Sequence, residues 1–330
     1  MSVTDRRFTM AHLIDNMAYV GQTPWHGLGN RLTANRPIED WVIQAGLNWR
    51  IEETPVRFLI GDRGHMGEIK AFPDSKVLYR SDTHDPLSVV GHRYNVVQPQ
   101  EILEFYRDLT EVSGFALETA GSLKGGRKIW ALARTGQSTA LKGKDVNNAY
   151  ILLATACDGT MATTAQFTSI RVVCNNTLAV ALNQQSSGAV KVPHRSVFDA
   201  DTVKQQLGIT VSSWDQFMYR MKVLSERPVK HHEAKNYLLR VFSDPTKAVT
   251  GANTNERAMA KSLALFEGEG RGARLPSAQG TAYGLLNAVT EFIDHERRAR
   301  SVDSRLDSAW FGQGATIKRR ALDEALLMVA

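Results

Sequence analysis

The chain is poor in cysteine, in long apolar runs and in biased tracts, and each shortage closes off a class of protein. Cys157 and Cys174 are the only thiols in 330 residues, and they show no CxxC spacing. That argues against a disulfide framework and a structural zinc site, and it suits a reducing cytoplasm. No apolar run approaches the ~18–20 residues that a membrane helix needs. The stretch MSVTDRRFTMAHLIDNMAYVG has a basic pair but no apolar core of the signal-peptide kind. A hydrophobic fraction of 43% without low-complexity sequence implies a real buried core rather than global disorder.

Catalytic signatures are equally scarce. There is no GxSxG and no HExxH, and neither cysteine lies near a histidine in sequence. The closest approach to a phosphate loop is Gly121-Ser-Leu-Lys-Gly-Gly126-Arg127-Lys128. A Walker A loop needs lysine and then serine or threonine after its last glycine, and it opens a helix. Here Arg127 and Lys128 stand in those places and a strand pattern follows. His231-His232-Glu233 has metal-ligand residue types, but neighbours on a helix diverge by about 100°. His26, His92 and His194 are scattered, and Asp145 and Asp158 stand singly. The expectation is a protein without catalytic residues, metal or cofactor.

What the chain does have is positive charge gathered in one place. From Thr119 to Phe198 nine basic residues face two acids, a charge of +7. The chain totals +6, so the other 250 residues carry −1. No acid occurs between Gly121 and Lys144. A basic middle between balanced flanks points to a localised anionic partner.

The element pattern is α+β. Residues 1–95 read as a β-rich region, with strands at Val56–Ile60, Lys76–Arg80 and Ser88–Val90. Residues 96–198 read as a basic α+β core of antiparallel hairpins with packed helices. Residues 199–330 read as mainly helical. Pro99 opens a helix with an apolar stripe through Ile102, Phe105, Tyr106 and Leu109. Phe115–Ala120 and Lys128–Arg134 form one hairpin, and Tyr150–Ala156 and Met161–Thr168 form a second around Asp158-Gly159. A helix is expected over Ile170–Leu182, so the core reads as two hairpins and a helix. Asp201 is the expected cap of the next helix. Glu267–Ala278 reads as a mobile glycine-rich loop, and Gly280–Arg300 as one long helix.

Candidate binding residues follow from these placements. Lys124, Arg127 and Lys128 sit at a hairpin tip, and Arg134, Lys142 and Lys144 follow along and after the strand. Alternation puts Trp130 on one face with Lys128, Leu132 and Arg134, while Ile129, Ala131 and Ala133 face the core. Trp130 then either meets a ligand, where base stacking is worth ~1–3 kcal/mol, or lies beneath a packed helix. Arg171, Asn175 and Asn176 form a dense polar cluster, which marks either a site or a tightly bonded junction. Lys191, His194 and Arg195 add a further candidate phosphate contact.

Several stretches carry a resemblance. PWHGLG (24–29), YNVVQPQEILEF (94–105), GSLKGGRKIWALAR (121–134), CDGT (157–160), RVVCNNTL (171–178), GTAYGLLNAVTEFIDH and SAWFGQGATIK resemble the phage/plasmid-like protein family catalogued as a domain of unknown function. That resemblance implies a home on mobile elements in a bacterial host and assigns no activity. At the level of element order, basic hairpins followed by a helix resemble the core of single-strand annealing recombination proteins. Those form rings and hold single-stranded DNA in a basic groove without ATP. The resulting expectation is an oligomeric, ATP-independent, cytoplasmic single-stranded DNA binding or annealing protein. Two alternatives stay open: an enzyme acting on nucleic acid or a nucleotide through a spatially assembled site, and an interaction protein that counters a host defence.

Overall fold

A computed structural model describes residues 14–21, 29–61, 67–111, 113–173, 176–179, 189–211, 214–243 and 255–330. The chain is α+β, with antiparallel sheets and a helical C-terminal stretch. The centre is a meander: β6 (Ala116–Leu123), β7 (Lys128–Leu141), β8 (Asp145–Ala156), β9 (Thr163–Arg171) and β10 (Asn176–Ala179), each antiparallel to the next. At one edge β1 (Ile14–Val20) pairs with β6 and carries the short β2 (Asn30–Leu32). At the other, β11 (Ala189–Val192) lies beside β9. A separate sheet has the order β3 (Ile51–Ile60), β4 (Glu68–Arg80), β5 (Pro86–Gly91).

Period-two alternation gives the main sheet two apolar faces of different character. Ile129, Ala131, Ala133, Ala149, Ile151 and Phe167 belong to the main core. Onto that side pack α1 (Ile38–Gln44), α2 (Pro99–Glu104), α4 (Ala200–Val211) and α5 (Trp214–Glu226). The alanines leave room for close approach. The Tyr106 hydroxyl reaches the Ala131 carbonyl at 2.9 Å and accepts from the Leu153 amide at 2.9 Å. Met17, Tyr19, Trp130, Leu132, Tyr150 and Leu152 line the opposite face, where α9 (Val302–Phe311) supplies Leu306 and Trp310.

The rest of the helical region is α6 (His231–Phe242), α7 (Glu256–Ala264), α8 (Ala282–Glu291) and α10 (Gln313–Leu327). All ten residues of α8 are buried, and its polar members are bonded: Asn287 donates to the Tyr283 carbonyl, Thr290 to the Asn287 carbonyl, and Glu291 accepts from the Arg271 amide.

Four expectations are corrected. The described part of Ile170–Leu182 is not helical: Ile170 and Arg171 end β9, and Asn176–Ala179 returns as β10. The segment is rich in β-branched residues that suit a pleated surface, and its apolar spacing matched a helix by coincidence. The core is therefore a five-strand meander rather than two hairpins and a helix. The helix expected at 280–300 tightens at its cap and widens at its end, running from Ala282 to Glu291 into a π-type turn, Phe292–Glu296. The expected loop at 267–278 is bonded in place: the Arg271 amide donates to the Glu291 carboxylate at 3.0 Å, and the Ala278 amide to the Leu275 carbonyl at 2.9 Å. The capping carboxylate of α4 is Asp199, which accepts from the Asp201 and Thr202 amides, and not Asp201.

Candidate functional site

The meander decides where the basic residues go. Successive turns lie at opposite ends of the strands. Lys124, Arg127 and Lys128 flank the β6–β7 turn, and Lys142 and Lys144 the β7–β8 turn. The 14 residues of β7 hold these two groups about 40 Å apart. A run of charge that is continuous in sequence is split in space.

Internal partners then remove several cations from any groove. Asp307 of α9 takes both Lys124, at 2.6 Å, and Lys128, which is buried. Burial pushes the Asp307 carboxyl up, but hydrogen bonds from the two lysines outweigh it and hold the group below its ordinary value. Arg171 is buried and grips Asp145 through Nε at 2.7 Å and Nη2 at 2.6 Å. Ser277 donates to the same carboxylate, and Arg171 also donates to the Gly272 carbonyl. Arg171 is therefore part of a bonded junction; of its two expected companions, Asn175 lies outside the described residues. Lys142 donates to the Ser225 and Pro276 carbonyls at 2.8 and 3.0 Å.

The glycine turn has a packing explanation too. Gly126 has φ +90°, and a Cβ there would lie 2.8 Å from the Trp49 ring and 2.9 Å from Arg80 Nη1. Trp49 and Arg80 stack at 4.1 Å from cation to ring centre. The hairpin turn is thus packed against Trp49 and Arg80 at Gly126, while Arg127 beside it is exposed. His194 stacks on Tyr94, and its ring nitrogens lie 3.1 Å from the Asn95 and Met161 carbonyls. Arg127, Lys144, Lys191 and Arg195 are exposed and form no ion pair among the described residues. Asn176 opens β10; Asn175, Cys174 and His26 lie outside the described residues.

Trp130 lies on the face that alternation assigns, yet it is only 2% exposed. Trp310 stands edge-on to it, with ring centres 5.2 Å apart. The packed-helix alternative is the one realised, and the half-buried ring that meets solvent is Trp310.

Around these tryptophans the second face stays incompletely covered. A cleft of about 750 Å³ lies between the sheet, α9 and the β1–α1 edge. Its floor includes Met17, Trp130, Leu132, Tyr150 and Ile170, and its walls Trp41, Leu306 and Trp310. A smaller cavity of about 270 Å³ continues it beneath α9 and α10, sharing Leu132, Thr177, Ala309 and Trp310. The larger one falls in the size range of pockets that enclose an organic ligand, about 300–1,000 Å³.

The polar groups of the cleft are few and placed. Tyr150 donates to Glu118 Oε2 at 2.9 Å. Burial raises the Glu118 carboxyl above its ordinary value, opposed by the Tyr150 hydrogen bond and the Arg134 charge. Burial likewise raises the Tyr150 hydroxyl, reinforced by Glu118. Farther along, Asp294 on the π-type turn accepts from Lys318 at 2.7 Å and from the Thr177 amide at 2.8 Å. With that pair neutralised and Arg36 paired with Asp40 at 3.4 Å, the cations Arg134, Lys191 and Arg319 face two carboxylates, Glu111 and Glu118. The combined lining is positive, and more so when Glu118 holds a proton.

Of the residues singled out by sequence, Trp130, Arg134 and Lys191 come to this cleft. Sequence reasoning passed over Arg36, Glu118, Tyr150, Trp310 and Arg319. Trp310, Asp294 and Lys318 lie in stretches that carry the family resemblance, which is the one signal that pointed to them. Cys157 is packing: burial first, then Asp158, pushes its thiol up to about 12, out of the nucleophilic range at neutral pH. No group of three or more potential metal-ligating side chains occurs among the described residues, and no described helix is long and apolar enough to cross a membrane.

Comparison with known proteins adds one match. The family model described as Domain of unknown function (DUF932) matches residues 86–310, more than half of the chain. It spans β5 to α9 and so covers most of the cleft. No curated protein and no solved structure gives a significant match.

Proposed function

From the premise that the chain belongs to the DUF932 family, whose description assigns no activity, we propose that it is a single-stranded nucleic-acid-binding protein that takes the strand across the second face of its main sheet. One observation carries this reading. The 750 Å³ cleft and the cavity that continues it bring an aromatic and aliphatic lining together with the cations Arg134, Lys191 and Arg319 on one surface. Single-strand binders use that combination: cations track the phosphates while rings take the faces of unstacked bases. Trp310 is the stacking ring, Arg134 holds the backbone at one end, and Lys191 and Arg319 hold it at the other. The work is binding and annealing, with no nucleotide hydrolysis, by an assembly of copies in the cytoplasm of a bacterium that harbours a phage or plasmid.

The test is fluorescence anisotropy of a labelled single-stranded oligonucleotide, with duplex of the same length alongside, at several salt concentrations, with and without magnesium. The expected result is metal-independent binding that prefers the single strand and weakens with salt by ~0.7 log units per phosphate contacted. No binding at low salt overturns the proposal.

A second reading, an enzyme acting on a nucleotide, draws on one feature: Glu118 is a carboxyl raised by burial and hydrogen-bonded to a tyrosine inside a cleft. It predicts turnover that Glu118→Gln abolishes while binding persists.

A further inference from the structure

The β3–β4 hairpin projects beyond the sheet it belongs to. β5 pairs with β4 only along Ser75–Tyr79, whereas β3 and β4 continue together from Val56↔Phe72 to Ile60↔Glu68. This outer part is a two-stranded arm with both edges open, and such ribbons are marginal in water unless something covers them. Large apolar side chains stand on both of its faces, beside Arg57, Glu68 and Lys70. Leu59 is 67% exposed, Ile69 65%, Ile60 48%, Phe72 47% and Phe58 45%. With each of these side chains presenting roughly 150–200 Å² when free, the arm leaves on the order of 500 Å² of apolar surface in water. That is at the upper end of what a monomer exposes, about 300–600 Å².

We infer that this arm is an assembly surface, and that its occupant is a second copy of the same arm, joined edge to edge through β3. Three observations select the occupant and the register. First, the two edges differ. The outer edge of β4 carries Lys70 and Pro73, residues that blunt an edge against pairing. β3 carries Pro55 where the arm begins and one cation, Arg57, and is wholly apolar from Phe58 to Ile60.

Second, the inner end of the β3 edge is already closed and shows which backbone groups turn outward. Gln98 accepts from the Ile51 amide at 2.9 Å and donates to the Ile51 carbonyl at 3.1 Å. By period two, Arg57 and Leu59 also direct their backbone groups outward, with no Gln98 to meet them. An antiparallel pairing centred on Phe58 sets Arg57 opposite Leu59 of the second copy, exchanging backbone hydrogen bonds, and Phe58 opposite its own counterpart at the closer, non-hydrogen-bonded spacing.

Third, this register is self-complementary. Val56 meets Ile60, Phe58 meets Phe58, and no like charges stand opposite each other. The pairing sets the β3 side chains Val56, Phe58 and Ile60 of the two copies side by side and leaves Ile69 and Phe72 of β4 outside the contact. The contact is isologous and closes at two copies. It lies outside the cleft, and its failure leaves the nucleic-acid reading untouched.

The test is the mass of the full chain in solution, by sedimentation velocity at micromolar concentration, without nucleic acid. Wild type is expected at twice the chain mass or a multiple of it, and Phe58→Asp, which sets two carboxylates against each other, at half the wild-type mass. As a second readout, Phe58→Cys on mild oxidation gives a covalent dimer, because the two Cα atoms lie within disulfide reach. Glu68→Cys, on the inner strand of the paired arms, does not. A monomeric wild type, which would leave the arm to some other partner, overturns the proposal. So does a Phe58→Asp chain that keeps the wild-type mass, or, should that variant misfold, a Phe58→Cys chain that fails to cross-link.

Discussion

The two faces of the main sheet are made by the same strands, residue by alternate residue, and they end in opposite states. On one face Ile129, Ala131, Ala133, Ile151 and Phe167 are small or aliphatic for the most part, and helices close over them. On the other, Trp130, Tyr150, Glu118 and Arg134 are large or polar, and α9 covers them only in part. The difference shows how one strand serves two ends. Small side chains let helices seat closely and finish the core. Bulky and polar ones hold the covering helix off the sheet and leave a cleft whose chemistry the rims set.

The comparison breaks hardest on the closed face. Phe167→Ala leaves a void beneath Trp214, whose ring centre lies 5.9 Å away. It should cost about 3–5 kcal/mol in urea unfolding, with any loss of ligand affinity following loss of fold. On the open face the largest stability effect belongs to Asp307→Asn, which strands the buried Lys128 and the neighbouring Lys124. A cost of about 3 kcal/mol is expected. Because the Asp307 carboxyl is held below its unfolded value, its contribution is present at neutral pH. It fades as pH falls through the folded value, so wild type and variant should converge in acid. A gap that persists in acid would contradict the assignment.

Arg134→Glu should leave the unfolding midpoint nearly unchanged, since the residue is exposed, and weaken oligonucleotide binding about tenfold. The salt slope should fall by about 0.7 for the lost phosphate contact. The smallest effect is the most specific. Glu118 has a raised carboxyl, so folding favours its protonated form. That contribution is present below the unfolded value and is lost as pH rises through the folded one. Binding of an anionic strand should therefore tighten as pH falls into that window, and Glu118→Gln should flatten this part of the profile in a binding titration.

Much of the sheet was legible in the sequence because alternation is a local signal. Lys128, Trp130, Leu132 and Arg134 share one face and Ile129, Ala131 and Ala133 the other, as the pattern of β7 implies. The turn at Asp158-Gly159 was legible for the same reason; the β6–β7 turn was placed too early, since Gly121–Leu123 continue β6 and the chain reverses at residues 124–127. The β9–β10 turn was not, since Val172, Val173 and Leu178 fit a helical stripe as well as a strand. The candidate site was legible only in fragments. A charge count along the chain sees Lys124 and Lys128 but not Asp307, 179 residues beyond Lys128. Nor does it see that a meander sends neighbouring turns to opposite ends. Burial of Trp130 by Trp310, and of Arg171 by Asp145 and Ser277, are likewise contacts between distant parts of the chain.

The most direct test of the account is the salt dependence of single-strand binding in wild type beside a variant carrying Arg134→Glu, Lys191→Glu and Arg319→Glu on the cleft rim. A second variant carries Arg127→Glu and Lys144→Glu at the two ends of the sheet, away from the cleft. The account predicts that the rim variant loses most of its affinity and about two log units of salt slope, while the end-of-sheet variant keeps both nearly intact. The reverse pattern would place any bound strand off the second face and contradict the central claim.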